Sequence, residues 1–216
     1  MTIHVYIVDD HALVRAGMRM ILDAEPGIAV VGEADSAEAA LPQIRSLRPQ
    51  VVLCDLHLPG MSGLELTERI VRGQQGTAVV AVSVLDDGPM PRRLLDAGAS
   101  GYVGKGGDAA ELVRAVRDVA DGRRYLASTV ARNIALSSLD ANQSPFDSLS
   151  GREIEVALLL IQGMRQAQIA EHLRLSPKTV HTHKARMFAQ LRIKDTVALT
   201  RLATQYGLVD TVRALA

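Results

Sequence analysis

The 216 residues, 48% hydrophobic and 22% charged, have the make-up of an ordinary globular chain, long enough for one large domain or two small ones. The 24 basic side chains equal the 24 acidic ones, and taken whole this zero net charge argues against a nucleic-acid binder, which ordinarily carries a basic excess. A single cysteine excludes a disulfide framework and any CxxC motif, six aromatics without Trp leave no stacking platform for single strands, and no apolar run is long enough for a membrane span.

The N-terminal stretch MTIHVYIVDD already holds two aspartates, unlike a signal or transit peptide, and points to a cytoplasmic chain with no membrane partner. Ile3–Val8, Ile28–Val31, Val51–Cys54, Ala78–Val82 and Gly101–Val103 then read as strands, each a near-continuous apolar run. Continuous rather than alternating hydrophobicity implies burial on both faces, as in a parallel sheet flanked by helices. Ala12–Ala24, Ser36–Leu47, Ser62–Arg72, Arg92–Ala97 and Asp108–Asp121 carry apolar residues at helical spacing. Ser36 and Ser62 are the expected N-caps, the second with Glu65 at the capping-box position. Pro89 and Pro91 set the start of the fourth helix late, near Arg92. Five βα units with right-handed crossovers predict an α/β, doubly wound (βα)5 domain over residues 1–122.

In such a fold the carboxyl ends of the strands carry the chemistry. The first strand leads into Asp9-Asp10, the third into Asp55 and the fourth into Ser83, while the fifth is followed by Lys105. Three carboxylates at one edge repel one another unless a cation lies among them, and hard oxygen ligands with few other protein groups suit Mg²⁺. Lys105 adds positive charge and Ser83 a hydrogen-bond donor, which completes the parts needed to hold a phosphoryl group on a carboxylate. Each residue alone has a plainer reading: Asp9 or Asp10 as a helix N-cap, Ser83 as a turn residue, Lys105 as a solvated charge, Cys54 as a small core residue. Their coincidence at four of five strand ends favours the site.

Val8-Asp9-Asp10, Asp55-Leu56-His57-Leu58-Pro59-Gly60 and Gly101-Tyr102-Val103-Gly104-Lys105 resemble the motifs of response-regulator receiver domains. The resemblance implies that Asp55 accepts phosphate from a sensor histidine kinase. It also implies that Asp10, Asp55 and the His57 carbonyl bind Mg²⁺, with Asp9 acting through water. Ser83 and Lys105 would contact the phosphoryl oxygens, and Tyr102 would turn as Ser83 moves. Ser83 stands where Thr is commoner, and Leu58 where Met is. A haloacid-dehalogenase-type phosphatase is the enzymatic rival, but it needs a second acid where His57 stands. No GxxxxGK[ST] loop is present either, so a turnover enzyme is disfavoured.

Residues 123–147 read as a linker, helical over Ser128–Leu136 and ending in the polar run up to Ser144-Pro145. The charge divides across it: 11 basic and 17 acidic residues precede position 123, whereas 10 basic and 5 acidic residues follow position 147. Neutrality is therefore a cancellation between an acidic and a basic domain, the pattern of two domains with different partners. Opposite charges on tethered domains also suggest that the acidic one screens the basic one until phosphorylation.

Residues 148–216 read as all-α. Ser150 with Glu153 forms a capping box, Ile154, Ala157, Leu158 and Ile161 line one face, and Gly163 ends the helix. A short helix follows over Gln166–Leu173. Ser176 and Pro177 then restart the chain as N-cap and first helical residue of a helix to about Leu191, and a fourth runs from about Asp195 to Tyr206. Two short helices joined by a tight turn inside a basic unit make a helix-turn-helix. Val180, His183, Met187 and Leu191 should face inward. On the other side His181, Thr182 and Ala185 are assigned to bases, and Lys178, Thr179, Lys184 and Arg186 to the phosphate backbone.

The segments Leu149–Ile154, Ile169-Ala170, Ser176–Val180 and His183 resemble the LuxR/FixJ-type output domain, so the chain is identified as a member of the NarL/FixJ family. Ser144–Ser150, Leu175–Val180 and Tyr206–Asp210 are similar to the GacA/UvrY subgroup. That resemblance implies a hybrid sensor kinase and double-stranded promoters of small regulatory RNAs and of virulence or metabolism genes. It also implies a homodimer when active, formed through the last helix around Val197 and Arg201. The competing reading is an atypical regulator controlled by partner binding without phosphorylation.

Overall fold

In the computed structural model, which describes residues 2–56, 58–73, 76–83, 90–139, 144–206 and 208–209, all five apolar runs are strands. They are β1 (Ile3–Val8), β2 (Ile28–Ala34), β3 (Val51–Asp55), β4 (Ala78–Ser83) and β5 (Gly101–Gly104). A two-residue β6 (Tyr125–Leu126), too short to leave a periodicity, extends the sheet beyond β5. Every pairing is parallel and the order is β2-β1-β3-β4-β5-β6. The connecting helices are α1 (Ala12–Asp23), α2 (Ala37–Leu47), α3 (Gly63–Gly73), α4 (Met90–Asp96) and α5 (Ala109–Ala120), followed by α6 (Ser128–Leu139).

The sheet is buried on both sides, which is why its strands lack alternation. Val5 and Ile7 of β1 pack with Met18 and Leu22 of α1 and with Leu112 and Val116 of α5. The intervening Tyr6 and Val8 pack with Ala37, Ala40 and Ile44 of α2 and with Leu66 and Ile70 of α3. Helix α4 is described over Met90–Asp96 and so already includes Pro91, ahead of the expected start near Arg92. Ser62 Oγ accepts from the Glu65 N–H at 3.3 Å as expected. Ser36 is the N-cap residue of α2, but its hydroxyl donates to Asp35 Oδ1 at 3.1 Å instead of capping.

The strand order reverses direction between β1 and β3, which opens a crevice at their carboxyl ends. Val8 pairs with Cys54, so Asp9 and Asp55 follow side by side.

The chain divides into two compact units, one of Met1–Asp86 with Pro91–Ile134 and one of Asp87–Met90 with Ala135–Ala216. Within the second, a short 3-10 helix (Pro145–Ser148) precedes α7 (Gly151–Ile161), α8 (Gln166–His172), α9 (Pro177–Leu191) and α10 (Thr196–Gln205). The Ser150 N–H donates to Glu153 Oε2 at 2.8 Å and the Glu153 N–H to Ser150 Oγ at 3.3 Å, closing the capping box. Gly163 ends α7 at φ 82°, Ser176 Oγ caps α9 through the Thr179 N–H at 3.0 Å, and Asp195 Oδ1 caps α10 through the Ala198 N–H at 2.8 Å. Phe146, Ile154, Ala157, Ile169, Val180, Met187 and Leu199 fill the core.

The tightest join in the sheet unit is at Gly63, the first residue of α3. Its N–H donates to the Leu56 carbonyl at 3.1 Å, and any Cβ there would collide with the Asp55 carbonyl. Gly63→Ala is therefore expected to lower unfolding free energy in urea by about 1–3 kcal/mol through overpacking.

Candidate functional site

Asp9 lies one residue past β1 and is fully buried, while Asp55 ends β3 at 2% exposure. Two carboxylates removed from water need a counter-charge, and Lys105 supplies it. Its Nζ ion-pairs with Asp9 Oδ2 at 2.8 Å and donates to Asp55 Oδ2 at 2.8 Å. The backbone puts the lysine there: the Lys105 N–H donates to the Ser83 carbonyl at 2.6 Å, just past the pairing of Ser83 with Gly104. Burial disfavours the ammonium, but the charge and hydrogen bonding of Asp55 and Asp9 outweigh it and hold its pKa above the usual lysine value.

Asp9 is fixed on two further sides. Its Oδ1 accepts the His11 N–H at 2.8 Å, and its carbonyl accepts from Arg15 Nη1 at 2.6 Å. The N-cap residue of α1 is His11, not an aspartate, so the plainer reading of Asp9 and Asp10 does not hold. Asp10 is partly exposed, and its Oδ1 lies 2.7 Å from His11 Nδ1.

One ligand atom each from Asp9, Asp10, His11 and Asp55 all lie within 4.8 Å of one another. Three carboxylates face one ammonium, that of Lys105, so the cluster is acidic and suits a cation. The oxygen-rich donor set fits Mg²⁺.

The structure thus brings Asp9, Asp10, Asp55 and Lys105 together. Ser83 is fully buried at the end of β4 and Tyr102 fully buried within β5. His57 lies outside the described residues. His11 was not picked out from the sequence, although a ligand-type residue directly after two aspartates was a usable signal. Cys54 donates its thiol proton to the Asp55 carbonyl at 3.2 Å. Burial first, then the charges of Asp55 and Asp9, push the thiol pKa far above its ordinary range, so Cys54 is core material.

On α9, Val180, Met187 and Leu191 are buried, and Lys178, His181, Thr182, Ala185 and Arg186 are exposed. Thr179 is partly buried with its hydroxyl 2.8 Å from Ser176 Oγ, and Thr182 Oγ1 donates to the Lys178 carbonyl at 2.9 Å. Lys184 is partly buried, its Nζ 5.2 Å above the Phe188 ring. Val197 of α10 is 71% exposed, and Arg201, one turn on, is exposed as well.

Residues 5–117 match the response regulator receiver domain, and residues 147–203 match the luxR family of bacterial regulatory proteins. The chain is a LuxR-type response regulator. The regulator is 46% identical over 210 residues to the response regulator GacA of Pseudomonas viridiflava, covering 96% of this chain and 98% of the relative. It is 44% identical over 210 residues to UvrY of Escherichia coli (strain K12), covering 96% of each. Among solved structures, RcsB of Salmonella typhimurium aligns with a TM-score of 0.69 at 26% identity, covering 95% of this chain and 98% of that one. A structure of the RcsB–DNA complex aligns at 0.61 and 26% identity, covering 94% and 98%. ChrA, from a heme-sensing two-component system, aligns at 0.55 and 33% identity, covering 96% and 99%. The response regulator is a two-component, DNA-binding transcription factor with a helix-turn-helix output domain. Among the described residues no helix is long and apolar enough to cross a membrane.

On α9 itself, His183 Nδ1 is buried without a hydrogen-bond partner among the described residues. Burial lowers the His183 pKa; Glu153 opposes this, and Arg152 and Arg186 reinforce it. The unfolded chain therefore takes up this proton at a higher pH than the folded one, so stability falls as pH drops below the ordinary histidine value near 6.5. The wild type is expected to lose more thermal stability than His183→Gln between pH 7.5 and pH 5.5, measured by melting curves at each pH.

Proposed function

We propose that residues 1–122 accept a phosphoryl group on Asp55 from a sensor histidine kinase of the hybrid type, and that residues 148–216 carry the signal to double-stranded promoter DNA as a homodimer. The observation that supports this best is Lys105, held 2.8 Å from both the Asp9 and the Asp55 carboxylate. A cation already seated on the acceptor carboxylate can follow the charge as it moves onto phosphoryl oxygens.

In the transfer, the Asp55 carboxylate attacks phosphorus, the N–P bond of the phosphohistidine breaks, and the electron pair returns to the imidazole, which takes up a proton. Lys105 and the Ser83 hydroxyl bind non-bridging oxygens. Asp10, Asp55 and the His57 carbonyl would hold Mg²⁺, with Asp9 acting through water. When bound, the metal neutralises charge on the transferring group. Tyr102 turns as Ser83 moves. The same groups serve hydrolysis of the acyl phosphate, so the receiver assists its own phosphorylation and dephosphorylation without being a turnover enzyme.

On DNA, His181, Thr182 and Ala185 read bases, while Lys178, Thr179, Lys184 and Arg186 hold phosphates. The RcsB–DNA complex supports this docking, and two RcsB dimers bound to DNA support a dimer, here through Val197 and Arg201 of α10. We further propose that the regulator acts in the cytoplasm at promoters of small regulatory RNAs and of virulence or metabolism genes.

Asp55→Asn is expected to abolish phosphate uptake from acetyl phosphate on a phosphate-affinity gel, and EDTA to do the same to the wild type. Labelling that survives Asp55→Asn would displace Asp55 as the acceptor. In filter binding across a salt series, Arg186→Ala is expected to reduce the slope of log affinity against log salt by about 1. His181→Ala should instead narrow the gap between specific and random sequence.

A further inference from the structure

We propose that Glu38 is a positioning residue for the phosphoacceptor loop. This rests on the phosphoryl-transfer reading above and extends it to a side chain outside the acidic cluster.

Residues 58–62 lie between Asp55 and α3, and the reading above makes the carbonyl of residue 57, which is outside the described residues, a metal ligand. The two ends of this loop are joined: the Gly63 N–H donates to the Leu56 carbonyl at 3.1 Å, and the Cys54 thiol lies 3.2 Å from the Asp55 carbonyl and 3.7 Å from that of Gly63. The far side of the loop is fixed from another helix. Glu38, in the first turn of α2, accepts the Met61 N–H on Oε1 at 2.7 Å, across 23 positions of sequence.

The loop is shaped to receive this carboxylate. Gly60 has φ +78°, and a Cβ on it would come within 2.5 Å of Glu38 Oε1 and 3.2 Å of Oε2. Glycine at position 60 therefore meets two demands at once, a left-handed backbone and room for an acid lying across it. Helix α2 is a firm base for this contact, because Ala37, Ala40 and Ile44 are fully buried against the sheet. The glutamate length spans the gap and brings an acceptor oxygen to the Met61 N–H.

Glu38 acts through the backbone of the loop and touches no reacting atom. Its plainer role is a solvated charge favoured at a helix N-terminus. The two roles differ in what they require. The clamp needs an acceptor at glutamate length, whereas the helix needs only negative charge.

The test is Mg²⁺ affinity of the full chain by isothermal titration calorimetry, with melting curves alongside. Glu38→Ala and Glu38→Asp are expected to weaken Mg²⁺ binding about tenfold, the low end of what loss of an outer-shell partner causes. Glu38→Gln, which keeps reach and acceptor but not charge, should bind Mg²⁺ like the wild type. Hydrogen exchange at the Met61 amide should rise in the first two variants only. Wild-type affinity in both Glu38→Ala and Glu38→Asp would overturn the proposal, as would a Glu38→Gln as weak as Glu38→Ala. Should Glu38→Ala fail to fold, the Asp and Gln pair decides alone. A wild type that binds no Mg²⁺ would instead defeat the phosphoryl-transfer reading, and the proposal with it.

Discussion

Two carboxylates out of water, side by side, dictate the rest of the receiver's architecture. Asp9 follows β1 and Asp55 ends the adjacent β3 in register, so the strand order of the sheet forces them together. A charge in that position is tolerable only if paired. Lys105 reaches it from the end of β5, and that reach depends on the β4–β5 register and on the Lys105 N–H bond to Ser83. One ammonium does not neutralise three acids.

Much of this was legible in the sequence because its causes are local. Strands with two buried faces read as unbroken apolar runs, and Ser150–Glu153 and Ser176-Pro177 are start signals whose chemistry sits within four residues of chain. The carboxylates and Lys105 were found because parallel sheets deliver strand ends to one edge. What escaped was tertiary or too short. Strand β6 has two residues and no period. The 3-10 helix at Pro145–Ser148 had its cap and proline in view, with Ser144 Oγ accepting from the Phe146 N–H at 3.3 Å, but its polar surroundings resembled linker. Glu38 looks like any exposed helical acid until the fold brings Met61 to it. Arg15 likewise gives no hint in sequence that it reaches the Asp9 carbonyl.

The output domain resolves a different conflict. Helix α9 must bury one side against α7 and α8 while keeping the other wet and basic. Its polar groups are not equally available. The Thr179 hydroxyl is engaged at the cap, the Thr182 hydroxyl leans on its own helix, and Lys184 stacks over Phe188. Lys178, His181, Ala185 and Arg186 present themselves without such ties among the contacts described. The neutral total thus conceals a division between an acidic receiver unit and a basic DNA-binding unit.

Cys54 has a practical consequence. It is the chain's only cysteine, 1% exposed, and kept in the thiol form by burial and by the acids beside it. Maleimide and spin-label reagents need an accessible thiolate, which Cys54 does not offer. A cysteine engineered on an exposed helix can therefore be labelled in the wild-type background, giving fluorescence or electron-spin distances without disturbing the residue that adjoins Asp55.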